Sequence, residues 1–272
     1  MFHRRPAHVL TSADSHQYSA DRRLANALLA LAAMSTLAAQ AVMGIDSSLQ
    51  ARGVPALAAL LLAVGAIKAA PAVRSIAAFV CIATWLNLTG WLWQPILALT
   101  LALFIVTTKT WPSLSPSKEW CVRGRLPWLE ISFVAGVTPV ALVGWIVAAR
   151  PDLSDIVVSY GLRDYPLPQL ALGAVVFVGV NAFLEELVWR GVLQDRLNVL
   201  LGPTAAIALQ GLSFGLQHWH GVPRGAAGAL LASTWGLMLG WLRRNTGGIG
   251  APFVAHLVAD AVIATLMLAI YR

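Results

Sequence analysis

Charge is scarce in this sequence. Only 11% of its 272 residues are charged, 58% are hydrophobic and the mean hydropathy is +0.72, values that exclude an ordinary soluble globular domain. Cysteine is nearly missing, with Cys81 inside an apolar run and Cys121 in a polar loop. That excludes a disulfide framework or a cysteine-based metal cluster, and both thiols are expected to be inert. Between residues 24 and 108 there is one acid, Asp46, and no histidine, so this half is expected to carry no catalytic chemistry. No tandem repeat or pair of matched broken helices is present, which argues against a transporter built from internal repeats.

Long apolar runs are abundant. Nine stretches approach membrane-spanning length: 24–44, 54–70, 73–90, 91–108, 129–149, 168–189, 203–220, 225–242 and 249–270. The expected fold is all-α, a polytopic transmembrane bundle of eight or nine helices. The open point is 73–108, where only Asn87-Leu-Thr-Gly90 separates two short spans. The net charge of +7 is not gathered into a nucleic-acid patch. Arg22, Arg23, Lys68, Arg74, Lys109, Arg243 and Arg244 fall in segments on one side if the N-terminus is cytoplasmic, which agrees with the positive-inside rule. Residues 1–23, with His3, His8 and His16, read as a solvated cytoplasmic tail. Ala39-Gln40-Ala41 resembles a leader cleavage site, but the apolar run continues past it, and a retained first helix is expected. The Pro, Ser and basic stretch 109–125 divides the chain into 24–127, of unassigned role, and a C-terminal unit, 128–272.

All the remaining chemistry lies in that second unit. Glu185 and Glu186 close the apolar run from Leu170, and each ionisable group at bilayer depth costs about 2.5–3.5 kcal/mol even on a lenient scale. On a helix Arg190 shares a face with Glu186, while Glu185 is rotated about 100° away. Two roles are implied: an ion pair for Glu186, and freedom to hold a water or proton for Glu185. A helix-end salt-bridge network involving Arg190 and Arg196 is the bland alternative. Gly202-Pro203 reads as a helix stop and restart, and a hairpin there places Glu185 level with His218, about 25 Å from the turn. His220, beside Trp219, reads as an interfacial residue. His256 and Asp260 share one face of the last helix, where a structural pair is again the bland reading.

Three motifs resemble those of the CPBP intramembrane proteases, a family that includes type II CAAX prenyl endopeptidases and bacteriocin-processing or self-immunity proteins. They are Glu185-Glu186-Leu-Val-Trp-Arg190, Phe214-Gly-Leu-Gln-His218 and His256-Leu-Val-Ala-Asp260. The resemblance covers about residues 128–272. It implies peptide-bond hydrolysis by a water that Glu185 activates with help from His218. Glu186, Arg190 and Phe214 would support the site, and His256 would stabilise the oxyanion. Asp260 departs from the asparagine of the prenyl endopeptidases, and its expected task is to orient and charge His256.

The resemblance implies no cofactor. Glu185, His218, His256 and Asp260 also offer oxygen and nitrogen ligands that zinc accepts, so a zinc protease stays open, although no HExxH pair is present. A non-enzymatic immunity or scaffold protein, or a proton-coupled carrier, would use the same buried groups for binding or relay. The expected partners are membrane lipids and a membrane-associated protein or peptide substrate. The composition points to a bacterial inner membrane.

Overall fold

In the computed structural model, which describes residues 12–43, 48–114 and 120–271, every apolar stretch read from the sequence is a helix, and there is no strand among those residues. In order they are α1 (Ser12–Met43), α2 (Leu49–Gly65), α3 (Pro71–Asn87), α4 (Trp93–Thr110) and α5 (Trp128–Ala149). A short α6 (Ser154–Ser159) precedes α7 (Leu167–Glu186), which continues through a π-helical turn, Leu187–Leu193, into α8 (Gln194–Leu201). Then come α9 (Pro203–Gln217), α10 (Gly225–Thr246) and α11 (Gly250–Tyr271). Helix α1 begins within the stretch expected to be a tail; His3 and His8, like Asp46 and Lys118, lie outside the described residues.

Local chemistry accounts for the breaks. Pro71 and Pro203 open their helices, where the missing N–H costs nothing. Gly202 turns the chain between α8 and α9 with φ of 79°, a conformation that side chains with a Cβ resist, and the expected hairpin forms there. The Ser48 hydroxyl caps α2 by accepting the Ala51 N–H at 3.2 Å.

Among the described residues seven helices are long and apolar enough to cross a membrane: Ala20–Met43, Leu49–Lys68, Trp93–Thr110, Trp128–Ala149, Leu167–Leu201, Gly225–Thr246 and Gly250–Ile270. Helices α3 and α9, of 17 and 15 residues, are shorter, and both bury polar side chains: Ser75 and Thr84 on α3, Gln210 and Ser213 on α9. The chain is an integral membrane protein.

The two halves share a core. Ile76, Phe79, Leu97 and Phe104 of α3 and α4 pack in one cluster with Trp189, Leu193, Leu197 and Phe214. The polar break also docks: Val122 and Arg123 carbonyls accept the Ile249 and Gly250 N–H groups at 2.8 and 2.9 Å, tying it to the α10–α11 turn. Helices α9 and α10 approach closely because a Cβ on Gly236 would lie 3.0 Å from the Gly211 Cα. That approach brings the Gly236 carbonyl within reach of the π turn.

Candidate active site

The acids expected to carry chemistry lie at the end of α7, where the helix enters the π turn. Glu185 and Glu186 are 5% and 0% exposed, and Arg190, four residues on, is 0% exposed. Arg190 Nη1 donates to Glu186 Oε1 at 2.8 Å, Nη2 approaches the Gly236 carbonyl at 3.4 Å, and the guanidinium lies 4.6 Å from the Phe214 ring centroid. The pair is deep, and Arg196 instead partners its neighbour Asp195. A helix-end surface network therefore does not describe Glu186 and Arg190.

His256 of α11 joins this pair from the opposite side. Its Nδ1–H donates to Glu186 Oε1 at 2.7 Å, which fixes the ring, and its Nε2 lies 3.6 Å from Glu185 Oε2 and 3.7 Å from Asp260 Oδ1. Glu186 is thus the acceptor that orients the His256 ring, whereas Asp260 stands beyond hydrogen-bond range of it. Asp260 Oδ2 accepts from Asn181 Nδ2 at 3.1 Å instead. Asn181 sits one helical turn before Glu185 on α7.

His218 ends α9. Its Nδ1–H donates to the Phe214 carbonyl at 2.9 Å, because a carbonyl can only accept, and this leaves Nε2 free for the site. His218 makes no direct hydrogen bond or ion pair with Glu185 or His256 among the described residues. The Phe214 ring ties the site together, with centroids 4.7 Å from His218, 6.1 Å from His256 and 5.7 Å from Trp189. His220 is exposed and donates from Nε2 to the Val42 carbonyl at 2.9 Å, apart from the cluster. Cys81 and Cys121 are free.

Residues with no sequence signal also reach the acids. Trp93 Nε1–H, in the first turn of α4, donates to Glu185 Oε1 at 3.0 Å. Beside it, Gln94 Nε2 donates to Asn181 Oδ1 at 3.4 Å, and Tyr160 donates to Gln94 Oε1 at 3.2 Å. The first half was expected to offer no catalytic chemistry, yet it supplies a donor to a site carboxylate; an indole N–H is invisible to a search for acids and histidines. Glu185 Oε2 is buried with no hydrogen-bond partner.

Away from the acids, Arg224 clamps the loop after His218 to Asp152 and the first turn of α6. Its two Nη atoms donate to the Asp155 carboxylate at 2.6 and 2.7 Å, and Nη1 also donates to the Asp152 carbonyl at 2.7 Å. The guanidinium holds the Asp155 carboxyl below its ordinary pKa, and the Ser154 backbone N–H does the same for Asp152. Among the described residues, no group of three or more His, Cys, Asp or Glu is arranged to hold a metal ion.

The family model described as type II CAAX prenyl endopeptidase Rce1-like matches residues 167–262. No curated protein and no solved structure matches the chain. The matched segment begins with α7, ends two residues past Asp260, and so holds Glu185, Glu186, Arg190, Phe214, His218, His256 and Asp260; α1–α6 lie outside it. Residues 167–262 are accordingly similar to the type II CAAX prenyl endopeptidase Rce1-like family, and all three motifs read from the sequence fall within that segment.

Proposed function

We propose that the chain is a glutamate-dependent intramembrane endopeptidase, with Glu185 as the general base. The observation that supports this reading is the setting of Glu185 Oε2: it is buried, has no hydrogen-bond partner and lies 3.6 Å from His256 Nε2, whereas Glu186, whose Oε2 also lacks a partner, is tied through Oε1 to the Arg190 guanidinium. A buried acceptor without a donor is costly, and a substrate water is the group that would satisfy it. Oε2 takes one proton of that water as the water oxygen bonds to the scissile carbonyl carbon. His218 Nε2 orients the same water. The carbonyl oxygen becomes an oxyanion, to which protonated His256 Nε2 donates. Glu185 then returns its proton to the departing amine, and the peptide C–N bond breaks.

The other polar groups set the geometry. Glu186 and Arg190 hold His256, Phe214 fills the space between the two imidazoles, and Asp260 supplies negative charge behind His256 while Asn181 holds it in place. The unit 128–272 forms the protease core under this reading, and 24–127 buttresses it. The N-terminus is cytoplasmic and the membrane a bacterial inner membrane, which an N-terminal reporter fusion tests. The substrate is a membrane-associated protein or peptide, with prenylated chains one class and bacteriocin-type leaders another.

The test compares membrane peptides in cells carrying wild type or Glu185→Ala. A precursor that accumulates only with the variant names the substrate. Equal peptide profiles, together with an unchanged cellular phenotype for Glu185→Gln, would turn the reading towards a binding protein.

A further inference from the structure

The first turn of α4 reaches the two site carboxylates that Arg190 does not hold. Trp93 donates to Glu185 Oε1 at 3.0 Å, and Gln94 reaches Asp260 through Asn181, by bonds of 3.4 and 3.1 Å. Neither residue falls in the segment that matches the family model. We infer that Trp93, seconded by Gln94, is a positioning residue for the hydrolysis, holding Glu185 so that Oε2 alone faces the reacting space. The inference rests on Glu185 acting as base.

The chemistry of the donor decides the argument. A glutamate carboxylate turns with little restraint about its last torsion, so burial alone does not say which oxygen meets the water. An indole N–H donates and never accepts, so one lone pair of Oε1 is taken up by Trp93, and Oε2, which has no hydrogen-bond partner, is the oxygen left open to a proton from water. A hydroxyl in its place would exchange roles as the carboxyl gained and lost its proton. Trp93 is also anchored: it packs against the shared core, and the adjoining Gln94 is held by Asn181 and by Tyr160. The contact crosses 92 positions of sequence and ties the unmatched half of the chain to the base.

The decisive variant is Trp93→Phe, which keeps an aromatic ring, though a smaller one, and removes the N–H. The control is Trp91→Phe, since Trp91 is 54% exposed and outside the site. The probe is a quenched fluorescent peptide built on the precursor that accumulates in Glu185→Ala cells, assayed with the full chain in liposomes. For Trp93→Phe, kcat is expected to fall about ten- to a hundredfold with KM within about twofold, the mark of a misplaced reacting group. Trp91→Phe should match wild type. Unchanged kcat in Trp93→Phe overturns the inference, and so does a parallel loss of kcat, KM and thermal stability, which would mark a packing residue. A second measurement needs no activity. The indole 1H–15N signal that disappears in Trp93→Phe should move in Glu185→Leu, and a signal that stays put disposes of the contact. Full hydrolysis by Glu185→Gln would instead sink the general-base reading, while the indole shift still judges the contact by itself.

Discussion

Replacing Arg190 with methionine tests the buried ion pair at the heart of the site. Both partners are fully buried, and Glu186 Oε1 takes the 2.8 Å bond from Arg190 as well as the 2.7 Å bond from His256. Methionine retains most of the stem's volume but strands the carboxylate, and breaking a buried pair from one side costs about 3–5 kcal/mol. At roughly 2–4 °C per kcal/mol for a chain near this size, the melting midpoint should fall by about 6–20 °C. Much of that cost is an unpaired charge rather than lost attraction. Removing the second charge should therefore recover a large part of it. In Glu186→Gln/Arg190→Met the amide oxygen can still accept the His256 Nδ1–H, so the double variant should be more stable than the sum of the single losses by about 1–3 kcal/mol. The assay is thermal unfolding of all four proteins at one scan rate in one detergent. Additivity within about 0.5 kcal/mol would refute the reasoning, since it would mean that the two groups do not sense one another.

Asp260→Asn can still accept from Asn181 but carries no charge, whereas Asp260→Ala does neither; if charge behind His256 matters, kcat falls in both, and full activity in Asp260→Asn would leave only the hydrogen bond. Gly236→Ala should cost about 1–3 kcal/mol of stability, because its methyl would meet the Gly211 backbone at 3.0 Å and push α9 from α10; an unchanged melting midpoint contradicts the close packing. The Arg224–Asp155 clamp is pH-dependent. Because the folded Asp155 pKa is lowered, its stabilisation is present above the unfolded value of about 3.9 and is lost as pH falls through the lower folded value. Hydrogen exchange of residues 151–166 should therefore quicken in acid once corrected for intrinsic rates, and Arg224→Ala should abolish the change. Hydrolysis by the purified protein should survive exhaustive chelation, and loss of activity restored by added zinc would favour the metal-dependent alternative.

The helices and the acids were legible in the sequence because the bilayer makes them so. Nine apolar runs are hard to explain otherwise, and a carboxylate within such a run needs a reason, which is how Glu185, Glu186 and Asp260 stood out. The pairing of Glu186 with Arg190 followed from helical periodicity, and the α8–α9 hairpin from Gly202-Pro203. What could not be read were contacts set by tertiary register. Asn181 lies one turn before Glu185 in the same run, yet nothing in its spacing says that it will meet Asp260, 79 positions away. The ring of His256 was expected to be turned by Asp260, its helical neighbour. Glu186 holds it instead, because Nδ1 faces α7 and only the α7 carboxylate comes within 2.7 Å.

That exchange of partners gives the adjacent glutamates a sharper physical rationale. Successive positions on a helix point about 100° apart, so one backbone segment can present two carboxylates in different directions at one depth. Glu186 spends its Oε1 on Arg190 and His256 together, a structural charge that steers an imidazole. Glu185 is left with one oxygen held by Trp93 and the other unpartnered, 3.6 Å from the nitrogen that Glu186 has aimed. Under the proposed mechanism the first acid needs the second: without Glu186 the imidazole has no fixed direction, and without Trp93 Glu185 has none. Both acids keep a buried Oε2 without a hydrogen-bond partner, so what separates them is position: Glu186 is tied through Oε1 to Arg190 and His256, whereas Glu185 Oε2 lies 3.6 Å from the His256 Nε2 that would face a substrate.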